Sequence, residues 1–316
     1  MPSAEVADRL DAAAARLGAR ARRDVALGPL TTYRVGGSAA LFVRLEDDAD
    51  LAVVRDVVRE TAVATLVVGK GSNLLVADAG FAGLALQLGE GFATVTVEGT
   101  TVRAGAAAAL PVVARRTAAA GLTGFEWAVG VPGSIGGAVR MNAGGHGSDM
   151  AASLTRVRVL DLRSGEDGVV PAAALDLSYR HADLAPHQLV VWAELALAAG
   201  DRAASEAAIA EVVRWRREHQ PGGPNAGSVF TNPEGDSAGR LIDAAGLKGH
   251  RIGTAEVSPK HANFIQADEG GSADDVFALM AFVRRTVRER FGVDLHPETR
   301  LVGYPDEPGV PAAGGC

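Results

Sequence analysis

Residues 69–73 read GKGSN, a turn that could bind a phosphate. Its glycines allow successive backbone N–H groups to point into one concavity, which suits an anion. The turn follows the apolar run TLVVG and precedes Leu74-Leu75-Val76. Its spacing fits neither a Walker A loop nor a dinucleotide fingerprint, whose third glycine is replaced here by Leu74. A plain tight turn between strands is the alternative, and the turn alone does not decide between them.

A second glycine-rich segment, GFEWAVGVPGSIGGAVRMNAGGHGSDM (124–150), is predicted to be a long loop. It carries Gly130, Gly133, Gly136, Gly137, Gly144, Gly145 and Gly147. Each glycine costs roughly 0.5–1 kcal/mol of backbone entropy relative to alanine, so a mere connection has no reason to carry so many. Close approach to a ligand explains them. The two glycine-rich segments therefore indicate a dinucleotide site outside the Rossmann plan.

The composition limits what the ligand and the compartment can be. The chain has 316 residues, 47% of them hydrophobic, and a net charge of -7, which argues against a nucleic-acid or anionic membrane surface. Its single cysteine, Cys316, allows no internal disulfide and no cysteine-ligated metal cluster. No apolar stretch approaches the roughly 20 residues of a membrane-spanning helix, and the first residues do not resemble an export signal. We expect a cytoplasmic protein without a metal or a membrane insertion.

Alternating strand-like and helical runs predict an α+β (α/β) fold. Residues 40–45 and 65–69 read as strands on either side of a helix opened by Asp47 and Asp48. Further strands are predicted at LALQLG, ATVTVEG, TVRAGA, RVRVLDLRSGE, QLVVWAELAL and DLHPETRLVG. Helices are predicted near 110–120 and 205–218. Another has Val276, Leu279, Met280, Val283 and Val287 on its buried face, and Gly292 at its end.

Eight motifs in order resemble the UDP-N-acetylenolpyruvoylglucosamine reductase family across roughly residues 22–303. They are TTYRVGG, VVGKGSNLLV, VPGSIGGAVRMNAGG, LSYRHADL, PNAGSVFTNP, AGRLIDAAGLKG, SPKHANFI and LHPETRLVG. The chain lacks the tyrosine-bearing insertion of the longer form, so it resembles the shorter form of the family.

The resemblance implies an FAD-binding domain of the vanillyl-alcohol-oxidase type and a smaller α+β substrate-binding domain. The predicted boundaries are an N-terminal helix at 1–21, an FAD domain at 22–200 with subdomains of about 22–88 and 89–200, a C-terminal domain at 201–303, and a disordered tail at 304–316. The residues implied to contact non-covalently bound FAD are Gly69, Gly71, Ser72, Asn73, Pro132, Gly133, Gly136, Gly137, Asn142 and Gly144.

The implied reaction is the reduction of UDP-N-acetylglucosamine enolpyruvate, with NADPH as hydride donor. Hydride addition to this enol ether pushes negative charge towards its carboxylate, so a cation and a proton donor are needed. The resemblance places Arg180 near the carboxylate, where a guanidinium can bind both oxygens. It also gives Glu298 a catalytic role and makes Ser228 the proton donor. Without the motifs, the alternatives are a surface arginine, an exposed strand carboxylate and a turn serine.

The resemblance further implies that the substrate is bound by Tyr179, Arg216, His219 and Asn232. Three positions depart from the family pattern. His219 stands where longer members carry lysine, and a neutral histidine binds diphosphate less firmly. Arg140 and His146 stand in the long glycine segment where tyrosines are common.

Two other functions fit parts of the sequence. One is a flavin-dependent oxidase or dehydrogenase on the same fold, since fold does not fix function. The motifs PNAGSVF and HPETRLVG, which flavin binding does not need, argue against it. The other is a non-catalytic flavin or nucleotide-sugar binding protein, which the presence of Ser228, Arg180 and Glu298 disfavours.

Overall fold

The computed structural model describes residues 3–304. In that range the chain forms seven α-helices: α1 (Ala4–Leu17), α2 (Asp48–Thr61), α3 (Leu110–Ala119), α4 (Ile135–Met141), α5 (Arg202–His219), α6 (Ala238–Ala244) and α7 (Ala273–Phe291). The predicted tail beyond Tyr304, with Cys316, lies outside the described residues.

The strands of the described range are mostly short. They are β1 (Arg22–Ala26), β2 (Ser38–Leu45), β3 (Thr65–Val67), β4 (Leu74–Val76), β5 (Phe81–Leu88), β6 (Val95–Glu98), β7 (Thr101–Gly105), β8 (Leu122–Thr123), β9 (Gly144–Gly145), β10 (Ser148–Asp149), β11 (Leu154–Asp161), β12 (Asp167–Pro171), β13 (Gln188–Ala196), β14 (Ala198–Ala199), β15 (Arg251–Ile252), β16 (Ala255–Val257), β17 (Ile265–Ala267) and β18 (Arg300–Val302).

These elements form two compact units that are not contiguous in sequence. The first contains residues up to Arg22, Leu41–Lys70 and Gly83–Arg216. The second contains Arg23–Ala40, Gly71–Ala82 and the described residues from Arg217 to Tyr304. This division differs from the contiguous domain boundaries predicted above, which remain a prediction.

The first unit is built around an antiparallel sheet of five strands in the order β12-β11-β13-β7-β6. A second group in this unit pairs β3 with β5 in parallel, from Thr65 opposite Leu84 to Val67 opposite Leu86. The core contains side chains of α3, α4 and the large sheet, together with Phe125 from the segment between β8 and α4. Phe125 and Ile135 are both fully buried. The GKGSN turn begins two residues after β3.

The amino-terminal helix packs against α2 in the first unit. Leu10, Ala13 and Leu17 are buried, as their helical spacing predicts. The Arg9 guanidinium donates to the Ala62 carbonyl over 3.3 Å, and Arg16 forms an ion pair with Glu60. The helix is therefore docked.

The second unit is built around α7 and small sheets. Strands β15, β16 and β17 form an antiparallel sheet, and β18 pairs with β4 in parallel. All five residues of the predicted apolar face of α7 are buried, and Gly292 ends the helix with φ of 71°. The Asp78 carboxylate accepts hydrogen bonds from the N–H of Ala273 (3.0 Å) and the hydroxyl of Ser272 (2.5 Å). These bonds cap α7 from the segment after β4.

Two sequence interpretations of secondary structure were wrong. Residues 124–150 are not one long loop, because they contain α4 and the β9–β10 hairpin. Helix α4 forms despite its glycines because Ile135 and Val139 are fully buried. The run DLHPETRLVG is a strand only over Arg300–Val302, since Pro297 lacks the N–H that a ladder needs.

No helix of residues 3–304 is long and apolar enough to cross a membrane. Within the same range, no group of three or more His, Cys, Asp or Glu side chains is placed to hold a metal ion.

Candidate active site

The first unit contains an open cleft where the end of β3 faces α4. Its lining includes backbone and small side chains from three separate segments, namely Gly69, Ala106, Ala107, Ser134, Gly136 and Gly137. The charged residues Arg44, Lys70, Glu90 and Arg140 stand around it.

Glycines allow the segments that line this cleft to approach one another closely. A Cβ on Gly69 would lie 2.8 Å from the Ser134 hydroxyl, and one on Gly136 would lie 2.9 Å from the Ala106 Cβ. Gly137 is exposed on the cleft, while the Gly133 carbonyl accepts the Leu110 N–H over 3.0 Å. Pro132, just before it, is exposed. A dinucleotide that needs close backbone approach fits this lining.

Asn142 and Gly144, also predicted to contact FAD, are tied into the unit itself. The buried Asn142 side chain accepts from the Ala151 N–H over 2.9 Å and donates to the Ser178 carbonyl over 2.9 Å. Gly144 pairs with Asp149, and a Cβ on it would lie 2.6 Å from the Asp149 Cβ. The structure thus shows internal roles for both, and their FAD contact stays a prediction.

Arg180 lies in a tight turn beside this segment. The turn is closed by reciprocal backbone hydrogen bonds between Ser178 and His181, and Arg180 has φ of 58°. Its guanidinium donates to the Gly144 carbonyl over 3.1 Å and lies 5.1 Å from the centre of the Tyr179 ring. Arg180 and Tyr179 therefore stand together, next to the hairpin of the long glycine segment.

Arg140, at a position where the family commonly carries tyrosine, has a structural role in this chain. Its guanidinium donates to the carbonyls of Leu184 and Ala185, each over 3.1 Å, and to that of Gln188. These carbonyls belong to the chain that follows Arg180. Arg140 therefore anchors that chain to α4.

Arg216 and His219 both lie at the end of α5 but differ in exposure. The Arg216 guanidinium donates to the Gly130 carbonyl, and burial lowers the pKa of Arg216. His219 is exposed. The His146 ring meets Trp215 edge-on, with centroids 5.0 Å apart.

The second unit contains the other half of the GKGSN turn. Gly71 has φ of 60°, and its carbonyl accepts the Thr32 N–H over 3.1 Å. A Cβ on Gly71 would lie 2.2 Å from the Leu30 carbonyl oxygen. Only glycine fits this position. Ser72 and Asn73 follow it, both half-buried.

The segments that carry Ser228 and Glu298 pair in this unit although they are far apart in sequence. The Glu298 N–H donates to the Val229 carbonyl over 2.7 Å, and Phe230 forms a bridge with Pro297. The Asn73 side-chain amide donates to the Glu298 carbonyl over 3.0 Å. The turn that begins at Gly71 is thus bonded to the segment that carries Glu298.

Ser228 and Asn232, both predicted site residues, line a polar cleft together with charged residues to which the sequence assigned no role. The lining includes Asn232, Arg240, Lys248, Lys260 and His261. The Asn232 side chain accepts the Ala238 N–H over 3.1 Å, which holds it at the start of α6. Lys248, Lys260 and His261 lie in the motifs AGRLIDAAGLKG and SPKHANFI, which carried the resemblance but no assigned residue. The charge of the two lysines was the available signal.

Arg300 was also missed. It lies two residues after Glu298, and its N–H donates to the Asn73 carbonyl over 3.0 Å. Burial lowers the pKa of Arg300. Arg300 therefore places a cationic side chain two residues from Glu298 along the chain.

Comparison with known proteins identifies the family. The C-terminal domain of UDP-N-acetylenolpyruvoylglucosamine reductase matches residues 218–302, and an FAD binding domain matches residues 39–166. The reductase of Anaeromyxobacter dehalogenans is 45% identical over 90% of this chain and 87% of its own length. The chain belongs to the UDP-N-acetylenolpyruvoylglucosamine reductase family.

Two further members of the family show that the similarity extends over most of the chain. Reductase 2 of Symbiobacterium thermophilum is 42% identical over 90% of this chain and 93% of its own length. The crystal structure of the Thermus caldophilus reductase has a TM-score of 0.79 and 36% identity over 90% of this chain and 99% of its own. These matches confirm the resemblance drawn from the motifs. They also confirm the predicted fold class to the level of an FAD-binding domain with a smaller C-terminal domain of mixed helices and strands.

The conformation of Gly71 gives a stability prediction. Gly71→Ala is expected to lower the free energy of unfolding by more than the roughly 1–2 kcal/mol of a left-handed alanine, because its Cβ also meets the Leu30 oxygen. Gly292→Ala is the matched control, since Gly292 has φ of 71° and open space around its Cα. Urea unfolding of both variants measures the difference. Equal losses would show that the Leu30 contact relaxes without cost.

Proposed function

We propose that this chain is an FAD-dependent reductase that converts UDP-N-acetylglucosamine enolpyruvate to UDP-N-acetylmuramate with NADPH, a step of peptidoglycan precursor synthesis. The observation that carries the proposal is the pairing of the segments of Ser228 and Glu298 beside a cationic cleft, in a chain of this family. A hydroxyl, a carboxylate and several cations suit a substrate with a diphosphate and a carboxylate. We place the enzyme in the cytoplasm, as its composition suggests, and retain the domain boundaries predicted above.

FAD is proposed to lie in the cleft of the first unit. Gly69, Gly136 and Gly137 line it, and the other proposed contacts are Gly71, Ser72, Asn73, Pro132, Gly133, Asn142 and Gly144. When bound, FAD would accept hydride from NADPH and pass it to the enolpyruvyl carbon. The glycines allow the backbone to approach the cofactor.

Three residues are proposed to act on the substrate. Arg180 pairs with the carboxylate and stabilises the charge that develops there. Ser228 donates a proton to the carbon next to the carboxylate. Because a serine hydroxyl is a weak acid, Glu298 supports that transfer through water or by orienting the acid chain.

Tyr179, Arg216, His219 and Asn232 are proposed to bind the rest of the substrate. Tyr179 and His219 are exposed, which leaves them accessible to a ligand. Arg216 is half-buried and already donates to the Gly130 carbonyl. Its contribution is therefore a preset position rather than a freely moving charge.

The assay that tests this function uses the purified yellow protein in parallel reactions. One contains NADPH and the enolpyruvyl substrate, and the others contain alcohols or sugars. We expect NADPH oxidation that depends on the enolpyruvyl substrate. Turnover with alcohols or sugars alone would support an oxidase or dehydrogenase of the same fold. Ligand binding without turnover would support a non-catalytic binding protein.

The flavin is expected to be FAD and to be held without a covalent bond. The described residues of the first cleft include no cysteine, and His146, the histidine of the long glycine segment, contacts Trp215 rather than lining the cleft. Acid or denaturant should therefore release all yellow absorbance into the supernatant, and chromatography should identify FAD. Colour that stays with the precipitated protein, or FMN in the supernatant, would contradict this prediction.

A further inference from the structure

Asn263 is a buried polar residue for which the proposed reaction has no role so far. It lies in the motif SPKHANFI, is 2% exposed, and stands beside Ser228 on the lining of the same polar cleft. Burial of an amide is unfavourable unless its donor and its acceptor are both bonded. Both atoms of the Asn263 side chain are bonded, and both bonds go to one residue.

That residue is Phe230. The Phe230 N–H donates to the Asn263 Oδ1 over 3.1 Å, and the Asn263 Nδ2 donates to the Phe230 carbonyl over 2.8 Å. The Asn263 backbone carbonyl also accepts the Val229 N–H over 2.9 Å. Three of the four backbone polar groups of Val229 and Phe230 are therefore bonded by Asn263.

The fourth group is bonded from the opposite side. The Val229 carbonyl accepts the Glu298 N–H over 2.7 Å. Val229 and Phe230 are also fully buried, at 0% and 1% exposed. The two residues that follow Ser228 thus have no freedom to shift, and their position sets where the Ser228 backbone emerges at the cleft.

We propose that Asn263 is a positioning residue that fixes Ser228 for proton donation. This inference rests on the proposed function, because it requires Ser228 to be the donor. A side chain of this length with one donor and one acceptor is needed to bond both groups of Phe230. Aspartate offers only acceptors when ionised, and leucine offers neither.

The test uses the holoenzyme and follows the flavin absorbance in two separate reactions, bleaching by NADPH and recovery on addition of the enolpyruvyl substrate. In Asn263→Leu, recovery is expected to slow about tenfold to a hundredfold, the scale of a small misplacement of a catalytic group. Bleaching by NADPH is expected to stay within about twofold of normal, since misplacement of this size affects only the step that uses the group. If Asn263→Leu does not fold, Asn263→Asp, which keeps the size and the acceptor, serves in its place.

A double variant separates positioning from general stability. If Asn263 acts through Ser228, the loss in Ser228→Ala combined with the Asn263 variant should equal the loss in Ser228→Ala alone. Multiplied losses, or normal recovery in the Asn263 variant, would overturn the inference. The control is Thr254→Val, which removes two hydrogen bonds of the same unit, from Thr254 to Asp275 and from Ser272 to Thr254, away from the cleft. Slowing of recovery in this control as large as in the Asn263 variant would also overturn it.

The wild-type enzyme distinguishes this failure from failure of the proposed function. Absence of substrate-dependent recovery in the wild type would refute the function itself. Normal wild-type recovery with an unaffected Asn263 variant would refute only the positioning role.

Discussion

Ser228→Ala is expected to slow the substrate-dependent recovery of the flavin absorbance at least about a hundredfold. General acid catalysis contributes about 10²–10⁴-fold, or about 2.7–5.5 kcal/mol of barrier. The bleaching by NADPH should keep close to its normal rate, because that step needs no proton donor at the substrate carbon. Substrate binding should also survive, since one hydroxyl adds little to contacts with a diphosphate, a sugar and a carboxylate.

Stopped-flow absorbance of each reaction, run separately, makes this measurement. Ser164→Ala is the matched control, because Ser164 is an exposed turn serine that accepts the Glu166 N–H over 3.2 Å. It should leave both rates unchanged. Equal slowing of both reactions in Ser228→Ala would mean that the serine supports the flavin site. If both reactions of Ser228→Ala keep normal rates, Ser228 is only a turn residue. Glu298 acting through water would then become the first candidate proton donor.

The regular elements were predictable because their patterns are local. The buried face of α7 repeats at helical spacing, and its first turn and its end carry Asp274, Asp275 and Gly292. Helix α2 follows the same logic, with the Asp47 carboxylate accepting the Asp50 N–H at its start. Such signals need only a short window of sequence.

Helix α4 was missed because its stability is not local. Its glycines lower the intrinsic helix propensity by about 1 kcal/mol each, and the burial of Ile135 and Val139 offsets that cost only in the folded unit. Gly136 has a packing reason as well, since its Cβ would contact Ala106. The density of glycines was interpreted as close approach to a ligand. At Gly136 the close approach is to Ala106 of the same unit.

The pairing of the segments that carry Ser228 and Glu298 could not be predicted from the sequence, because the two positions are 70 residues apart and no local pattern joins them. Family resemblance assigned both residues, whereas the structure shows the backbone hydrogen bonds that join their segments. Asn263 is buried and Arg300 is half-buried, and neither was assigned a role, because the sequence does not show burial or hydrogen-bond partners.

Arg180 provides the second large expected effect. Arg180→Lys keeps one positive charge but loses the planar pair of donors that matches both carboxylate oxygens. We expect kcat/KM for the enolpyruvyl substrate to fall by the equivalent of about 1.5–3 kcal/mol, the range for a hydrogen bond to a charged group. The lysine also loses the geometry by which the Arg180 guanidinium reaches the Gly144 carbonyl.

Bleaching of the flavin by NADPH tells substrate recognition from damage to the cofactor site in this variant. If Arg180 binds the carboxylate, bleaching stays near normal and the loss is confined to the reaction with substrate. If its main role is to hold the Gly144 hairpin, FAD content and bleaching fall as well. Arg115→Lys is the control, since the Arg115 side chain donates to the Pro111 carbonyl over 3.0 Å on the exposed face of α3. Unchanged kcat/KM in Arg180→Lys would exclude paired recognition of the carboxylate by this residue, because a single ammonium cannot reproduce the two parallel bonds of a guanidinium.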